Sequence, residues 1–275
     1  VFGPPFGKKT VIFVDDLNMP MLQTYGDQPP VEILRQWMDH NGWYDLKDCT
    51  FRELVDIQFV AAMGPPGGGR NPVTPRYIRH FNLMWATDYA PAALERIFKT
   101  IFDWHFNKDR FPGECTSLGN GVVQATINIF NTIARELLPT PSKSHYTFNL
   151  RDLTKVFQGM TQGSPKTVLE KVDLLRLWAH ETKRVFSDRL VDKKDMTWFH
   201  KLVCTQLEEV FKSDWKKVTG SEDERLIFGD FMKDDGAEYE VMASMPGIID
   251  RMTTSLEDHN AISKAPMDLV LFPFA

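Results

Sequence analysis

The chain has 275 residues, 43% hydrophobic and 25% charged, with a formal net charge of -5 and a pI near 5.8. Such a composition buries an ordinary core, and its acidic balance gives no support for nucleic acid as the main partner. Three widely spaced cysteines (Cys49, Cys115, Cys204) argue against a disulfide framework and a zinc site, and no apolar run or leader suggests a membrane span or signal peptide. The expectation is a soluble intracellular chain of one large or two smaller domains, and both ends read as cuts through a longer polypeptide.

Gly3-Pro4-Pro5-Phe6-Gly7-Lys8-Lys9-Thr10 resembles a phosphate-binding loop only superficially. Three residues, not four, separate its glycines, and it precedes a strand instead of following one. It reads as a surface turn. Val11-Ile12-Phe13-Val14 is then an apolar run with the composition of a strand buried on both faces. It ends in Asp15-Asp16-Leu17-Asn18-Met19-Pro20, two carboxylates at the carboxyl end of a strand, where open α/β sheets bind ligands. This is the Walker B pattern of P-loop nucleotidases, in which one acid helps hold Mg²⁺ and the next orients the attacking water. An Asp-rich turn that merely terminates a strand has the same appearance.

Pro29-Pro30 opens a helix carrying Val31, Leu34 and Met38 at helical spacing, and Asn41-Gly42 stops it. Residues 43–56 form a mixed insertion with the look of a hairpin, and Trp37, Trp43 and Tyr44 read as core. A second buried strand, 56–63, runs into the loop Gly64-Pro65-Pro66-Gly67-Gly68-Gly69-Arg70-Asn71-Pro72, which lacks the Lys-Ser/Thr of a phosphate loop. Arg76 and Arg79 then flank Tyr77-Ile78 on one helical turn. That turn suits either guanidinium groups reaching phosphate oxygens or two surface arginines in ion pairs. Phe81-Asn82-Leu83-Met84-Trp85-Ala86 predicts a third buried strand.

The remainder reads as helical. Amphipathic helices are predicted over 92–106 and 122–138, a third from Ser164-Pro165 through Phe186, and a fourth over 198–215. Asn149 is placed as an N-cap with Asp152 three residues on as its capping-box partner, and Phe148 and Leu153 as a staple. Arg151 falls in that helix's first turn, where the dipole disfavours a cation. It is either a solvated arginine or a ligand for an anion. Acidic loops follow at 221–224 and 233–236. No histidine pair, G-x-S-x-G element or Cys-His motif supports a metal or hydrolase site.

Taken together these residues resemble the third AAA+ module of a dynein heavy chain of the axonemal type. The similarity lies in the run Val11 through Pro20, in Tyr25-Gly26-Asp27-Gln28-Pro29-Pro30, and in Leu34-Arg35-Gln36-Trp37-Met38-Asp39-His40. It continues through the stretch from Ala62 to Phe81, Phe148-Asn149-Leu150-Arg151-Asp152-Leu153 and Trp178-Ala179-His180-Glu181. The resemblance implies an α/β fold of the AAA+ P-loop NTPase type, a partial parallel sheet with flanking helices followed by an α-helical lid. By it, residues 1–90 are the C-terminal part of the large subdomain, 91–215 the lid and 216–275 a connection toward the next module. It implies ATP or ADP with Mg²⁺ as cofactors. Asp15 is the Mg²⁺ ligand, Asp16 stands where the catalytic Glu is usual, and Asn18 lies beside the nucleotide. Arg76, with Arg79 as second choice, matches the arginine finger, and Arg151 matches sensor II.

The implied function is a regulatory ATP-binding and hydrolysing module of a microtubule motor in the axoneme of cilia and flagella. Its partners would be neighbouring AAA+ modules, microtubules through a stalk elsewhere in the parent motor, and dynein intermediate and light chains; no membrane or nucleic acid is implied. Three departures bear on this. The P-loop and its strand are absent and would precede Val1, so the fragment alone is expected to bind nucleotide weakly. Asp16 is a methylene shorter than Glu, and misplacement by about 1 Å can cost roughly 100-fold in rate. Met63-Gly64 stands where sensor I has an Asn, leaving Asn71 as the available substitute. The alternative is a structural ring module that no longer hydrolyses and holds nucleotide or supplies a finger to its neighbour.

Overall fold

In the first part of the chain, β-branched and aromatic residues make β1 (Thr10–Val14), and Pro29 and Pro30 pre-set the first turn of α1 (Pro29–His40). Asn41 closes that helix in the left-handed region (φ 58°), its amide donating to the Trp37 carbonyl at 2.7 Å. The insertion is the expected hairpin, β2 (Gly42–Tyr44) antiparallel to β3 (Phe51–Glu53). Gly42 is needed there, since a Cβ would lie 2.4 Å from the Arg52 carbonyl oxygen. β4 (Ile57–Ala61) pairs parallel with β1, Thr10 opposite Ile57 and Val14 opposite Ala61, and α2 (Pro75–Ile78) follows.

The structure, a computed structural model, describes residues 2–65, 70–220, 226–233, 238–242 and 244–268. The glycines at 67–69 and the acidic residues at 221–224 and 234–236 lie outside these. The chain divides into two units, Val1–Thr87 and Asp88–Ala275. The fold is that of an AAA+ P-loop dynein domain with its lid: a parallel strand pair with flanking helices, then a helical unit.

The first unit corrects two expectations. β1 is not buried on both faces: Ile12 and Val14 are half-buried, while Val11 (59%) and Phe13 (61%) are exposed. This alternation is that of a sheet packed on one side, where Val14 and Ala61 meet a small core of Leu17, Val31, Val73 and Tyr77. The third strand does not form. Residues 81–86 have no regular structure, and Leu83, Met84 and Trp85 are exposed; among the described residues no strand offers them a ladder. Tyr44 is exposed as well, whereas Trp37 packs on Phe59 at 4.9 Å and the Trp43 indole donates to the Ile33 carbonyl at 2.7 Å.

The second unit is a helical bundle. It comprises α3 (Pro91–His105), α4 (Gly113–Ser117), α5 (Gly119–Glu136), α6 (Leu150–Met160), α7 (Lys171–Thr182), α8 (Lys193–Phe211) and α9 (Trp215–Thr219). A short pair, β5 (Phe228–Gly229) and β6 (Glu240–Val241), and α10 (Met245–Ile262) complete it. Phe98 stacks on Phe157 at 4.6 Å, and the Trp178 indole donates to the Thr126 hydroxyl at 2.8 Å in a core shared by α3, α5, α6, α7 and α8. Two helix boundaries differ from expectation. Ser164-Pro165 opens a turn, held by Thr167 and Ser164, and α7 begins at Lys171, where Asp173 accepts the amides of Leu169 and Glu170. The helix expected over 198–215 starts five residues earlier and stops at Phe211, where Lys212 turns left-handed (φ 54°). Among the described residues no helix is long and apolar enough to cross a membrane.

Candidate functional site

β1 and β4 end side by side, and the backbone beyond them is stitched together. The Leu17 amide donates to the Ala62 carbonyl (3.0 Å) and the Asn71 amide to the Asn18 carbonyl (2.8 Å). Buried Asn18 donates through Nδ2 to the Gly64 carbonyl at 2.7 Å, and its Oδ1 has no partner among the described residues. The side-chain amide of Asn71 is engaged on the Pro20 carbonyl at 3.0 Å. It therefore closes the loop and does not stand free as a substitute for sensor I.

Asp15 and Asp16 emerge at this edge. Asp15 Oδ1 accepts the Asp16 amide at 2.9 Å, and its other oxygen makes no hydrogen bond or ion pair among the described residues. Asp16 adopts a left-handed conformation (φ 50°), which Asp tolerates better than most residues. Its carboxylate meets the Arg70 guanidinium at 2.9 Å. Beside the pair lies an open groove of about 490 Å³, with Met19, Pro20, Pro30 and Leu34 in its walls. An exposed carboxylate with a free oxygen suits Mg²⁺, which takes one or two protein carboxylates and completes its octahedron with phosphates and water. No three His, Cys, Asp or Glu side chains converge to cage a metal among the described residues, and that mode of binding needs no cage.

The two finger candidates differ in freedom. Arg76 projects from α2, and Arg79 is the residue that caps its C-terminal end. Arg79 donates to Asp39 at 2.8 Å, and His80 stands 3.0 Å from the same carboxylate. The Arg79 guanidinium, hydrogen-bonded to Asp39, holds that carboxyl below its usual range. Among the described residues Arg76 has a single distant ion-pair neighbour, Glu32 at 3.9 Å, and it is 67% exposed. Tyr77 between them is buried, and burial pushes its phenol up to about 12.

Arg151 belongs to the second unit. The capping box forms as expected: Asn149 Oδ1 accepts the amides of Arg151 (2.9 Å) and Asp152 (3.3 Å), and Asp152 Oδ2 accepts the Asn149 amide (3.1 Å). Buried Asp152 is also paired with Arg189 at 2.6 Å, whereas the exposed Arg151 has no ion-pair partner among the described residues. Arg70 and Arg189 were missed by sequence reasoning as site-shaping residues. Each pairs with an acid far away in sequence, which no local pattern signals.

A family described as "P-loop containing dynein motor region" matches residues 1–89, and an "AAA+ lid domain" family matches residues 122–219. The first span contains Asp15, Asp16, Arg76 and Arg79, the second Arg151. The chain is 48% identical over 285 residues to dynein axonemal heavy chain 1 of Mus musculus, covering 99% of this chain and 7% of that protein. It is 46% identical over 288 residues to dynein axonemal heavy chain 3 of Homo sapiens (100% of this chain, 7% of that one). Against dynein axonemal heavy chain 12 of Homo sapiens it is 43% identical over 289 residues (100% and 9%). The chain thus spans less than a tenth of these relatives' length, and it belongs to the axonemal dynein heavy chain family as part of an AAA+ module of the motor region.

Proposed function

We propose that this chain is the third AAA+ module of an axonemal dynein and that it regulates the motor through a bound nucleotide. The observation that carries the reading is the adjacent pair Asp15 and Asp16 at the carboxyl edge of the parallel strands, with a free Asp15 oxygen beside an open groove. Asp15 would hold Mg²⁺, which supplies charge neutralisation at the phosphates. Asp16 would orient the attacking water, and buried Asn18, with its unpartnered Oδ1, would position it. Arg76 is the better finger for a neighbouring module's nucleotide because Arg79 is already committed to Asp39. Arg151 would reach this module's own nucleotide from the lid. The parent protein would move on microtubules in the axoneme of cilia or flagella, alongside intermediate and light chains.

In the full heavy chain, Asp16→Asn should trap ATP in this module and slow release from microtubules, lowering gliding velocity. Unchanged velocity with unchanged nucleotide content would refute the reading. A second reading, a module that binds nucleotide without hydrolysing it, is favoured by a specific observation: Asp16 is occupied by Arg70, Gly64 has no side chain to offer at the sensor I position, and the Asn71 side-chain amide is engaged on Pro20.

A further inference from the structure

Asp16 is the group on which hydrolysis would turn, and it is not free. Its carboxylate lies 2.9 Å from the Arg70 guanidinium, with the two side chains 43% and 31% exposed. Arg70 reaches it from the far end of the loop after β4. That end is anchored, because the next residue, Asn71, donates through its backbone to Asn18 and through its side chain to Pro20. The guanidinium is therefore presented from a fixed point and is not simply swept past Asp16 by a loose chain. Asp16 is itself set in a left-handed turn immediately after Asp15, so the direction in which its carboxylate leaves the backbone is constrained.

An acid that orients water must offer its lone pairs to that water. A guanidinium at hydrogen-bonding distance takes up lone pairs that would otherwise accept from that water. We propose that Arg70 is a positioning residue that restrains Asp16, holding its carboxylate away from the reacting water so that hydrolysis in this module is slow. The inference rests on the proposed role of Asp16. It adds an origin for slow turnover besides the missing methylene: the acid is present but held. The same pair neutralises half the negative charge of Asp15 and Asp16, which lets a polyphosphate approach before Mg²⁺ does.

The test uses the full heavy chain with the equivalent second acid of the other nucleotide-binding modules neutralised. Arg70→Ala is expected to speed single-turnover hydrolysis about two- to fivefold, the range that a half-exposed ion pair can impose. Arg70→Lys should stay near wild type. In an Asp16→Asn background the Arg70→Ala effect should vanish, because the acid through which it acts is gone. A readout independent of hydrolysis is the dissociation of a fluorescent ATP analogue in EDTA. Arg70→Ala unpairs Asp16 and should accelerate it by about threefold, as an unscreened charge near a phosphate would, and Arg70→Ala/Asp16→Asn should return it to the wild-type rate. Hydrolysis that is unchanged or slower in Arg70→Ala, or an effect that persists without Asp16, overturns the proposal. Failure of Asp16→Asn to affect hydrolysis overturns instead the reading of the site on which it rests.

Discussion

Gly159→Ala should destabilise the helical unit, against the usual sign for this substitution. In an ordinary helix Ala is favoured over Gly by about 1 kcal/mol. Here a Cβ on Gly159 would stand 1.8 Å from Glu181 Oε2 and 2.1 Å from its Cδ, so the carboxylate has to move. Glu181 is 0% exposed: Arg184 donates to Oε2 at 2.6 and 2.9 Å, the Tyr239 hydroxyl donates to Oε1, and His180 Nε2 stands 3.7 Å from Oε1. Losing one partner of a buried charge costs about 3–5 kcal/mol. Arg184 is partly exposed and can follow the carboxylate, so the lower end applies. Set against the helix gain, the net loss is about 2–3 kcal/mol, or roughly 30- to 150-fold faster amide exchange by global opening. Hydrogen exchange of α6 and α7 reads it. In combination with Glu181→Ala, Gly159→Ala should instead stabilise by about 1 kcal/mol, since the obstructing group is gone and only the helix gain remains. Exchange slowed or unchanged in Gly159→Ala would refute the reasoning.

Three further outcomes follow from the same structure. Burial holds the imidazoles of His105, His180 and His200 below their ordinary value, so the unfolded chain binds more protons than the folded one at mildly acidic pH. Stability of the helical unit is then complete above about pH 6.5 and declines as pH falls below it. Denaturant melts across this window should show the decline, and a flat profile would contradict it. Tyr239→Phe removes the hydroxyl that donates to Glu181 and lies 3.1 Å from His180 Nε2, and should cost about 1–3 kcal/mol, read by thermal unfolding. Arg76→Ala should slow hydrolysis at the neighbouring module with little effect on folding. Arg79→Ala should leave Asp39 paired with Arg35 and beside His80, and that hydrolysis nearly unchanged; the opposite ranking would exchange their roles.

What the sequence made legible was local. The acids after an apolar run, the proline-opened α1 with its Asn41 stop, the hairpin and the Asn149 capping box all depend on residues within a few positions of one another. The errors arose where distance in sequence mattered. Residues 81–86 have strand composition, but a strand exists only with a ladder partner, which composition does not supply. β1 shows a run of apolar residues whether one face or both are covered. Ser164-Pro165 has the look of a helix start, yet the true cap lies six residues on, at Asp173 and Glu170, a signal of the same kind that was there to be read. The Arg70–Asp16 pair joins residues on two different loops, which the parallel pairing of β1 with β4 and the hydrogen bonds beyond it bring together.

The central claim is that Asp15 and Asp16 serve a Mg²⁺-nucleotide site in this module. The most direct measurement is nucleotide occupancy and single-turnover hydrolysis in a heavy-chain segment that includes the P-loop of the same module, with wild type compared against Asp15→Ala and Asp16→Asn. The account predicts Mg²⁺-dependent occupancy that Asp15→Ala abolishes, and slow turnover that Asp16→Asn stops while nucleotide stays bound. Occupancy and turnover indifferent to both substitutions would contradict it.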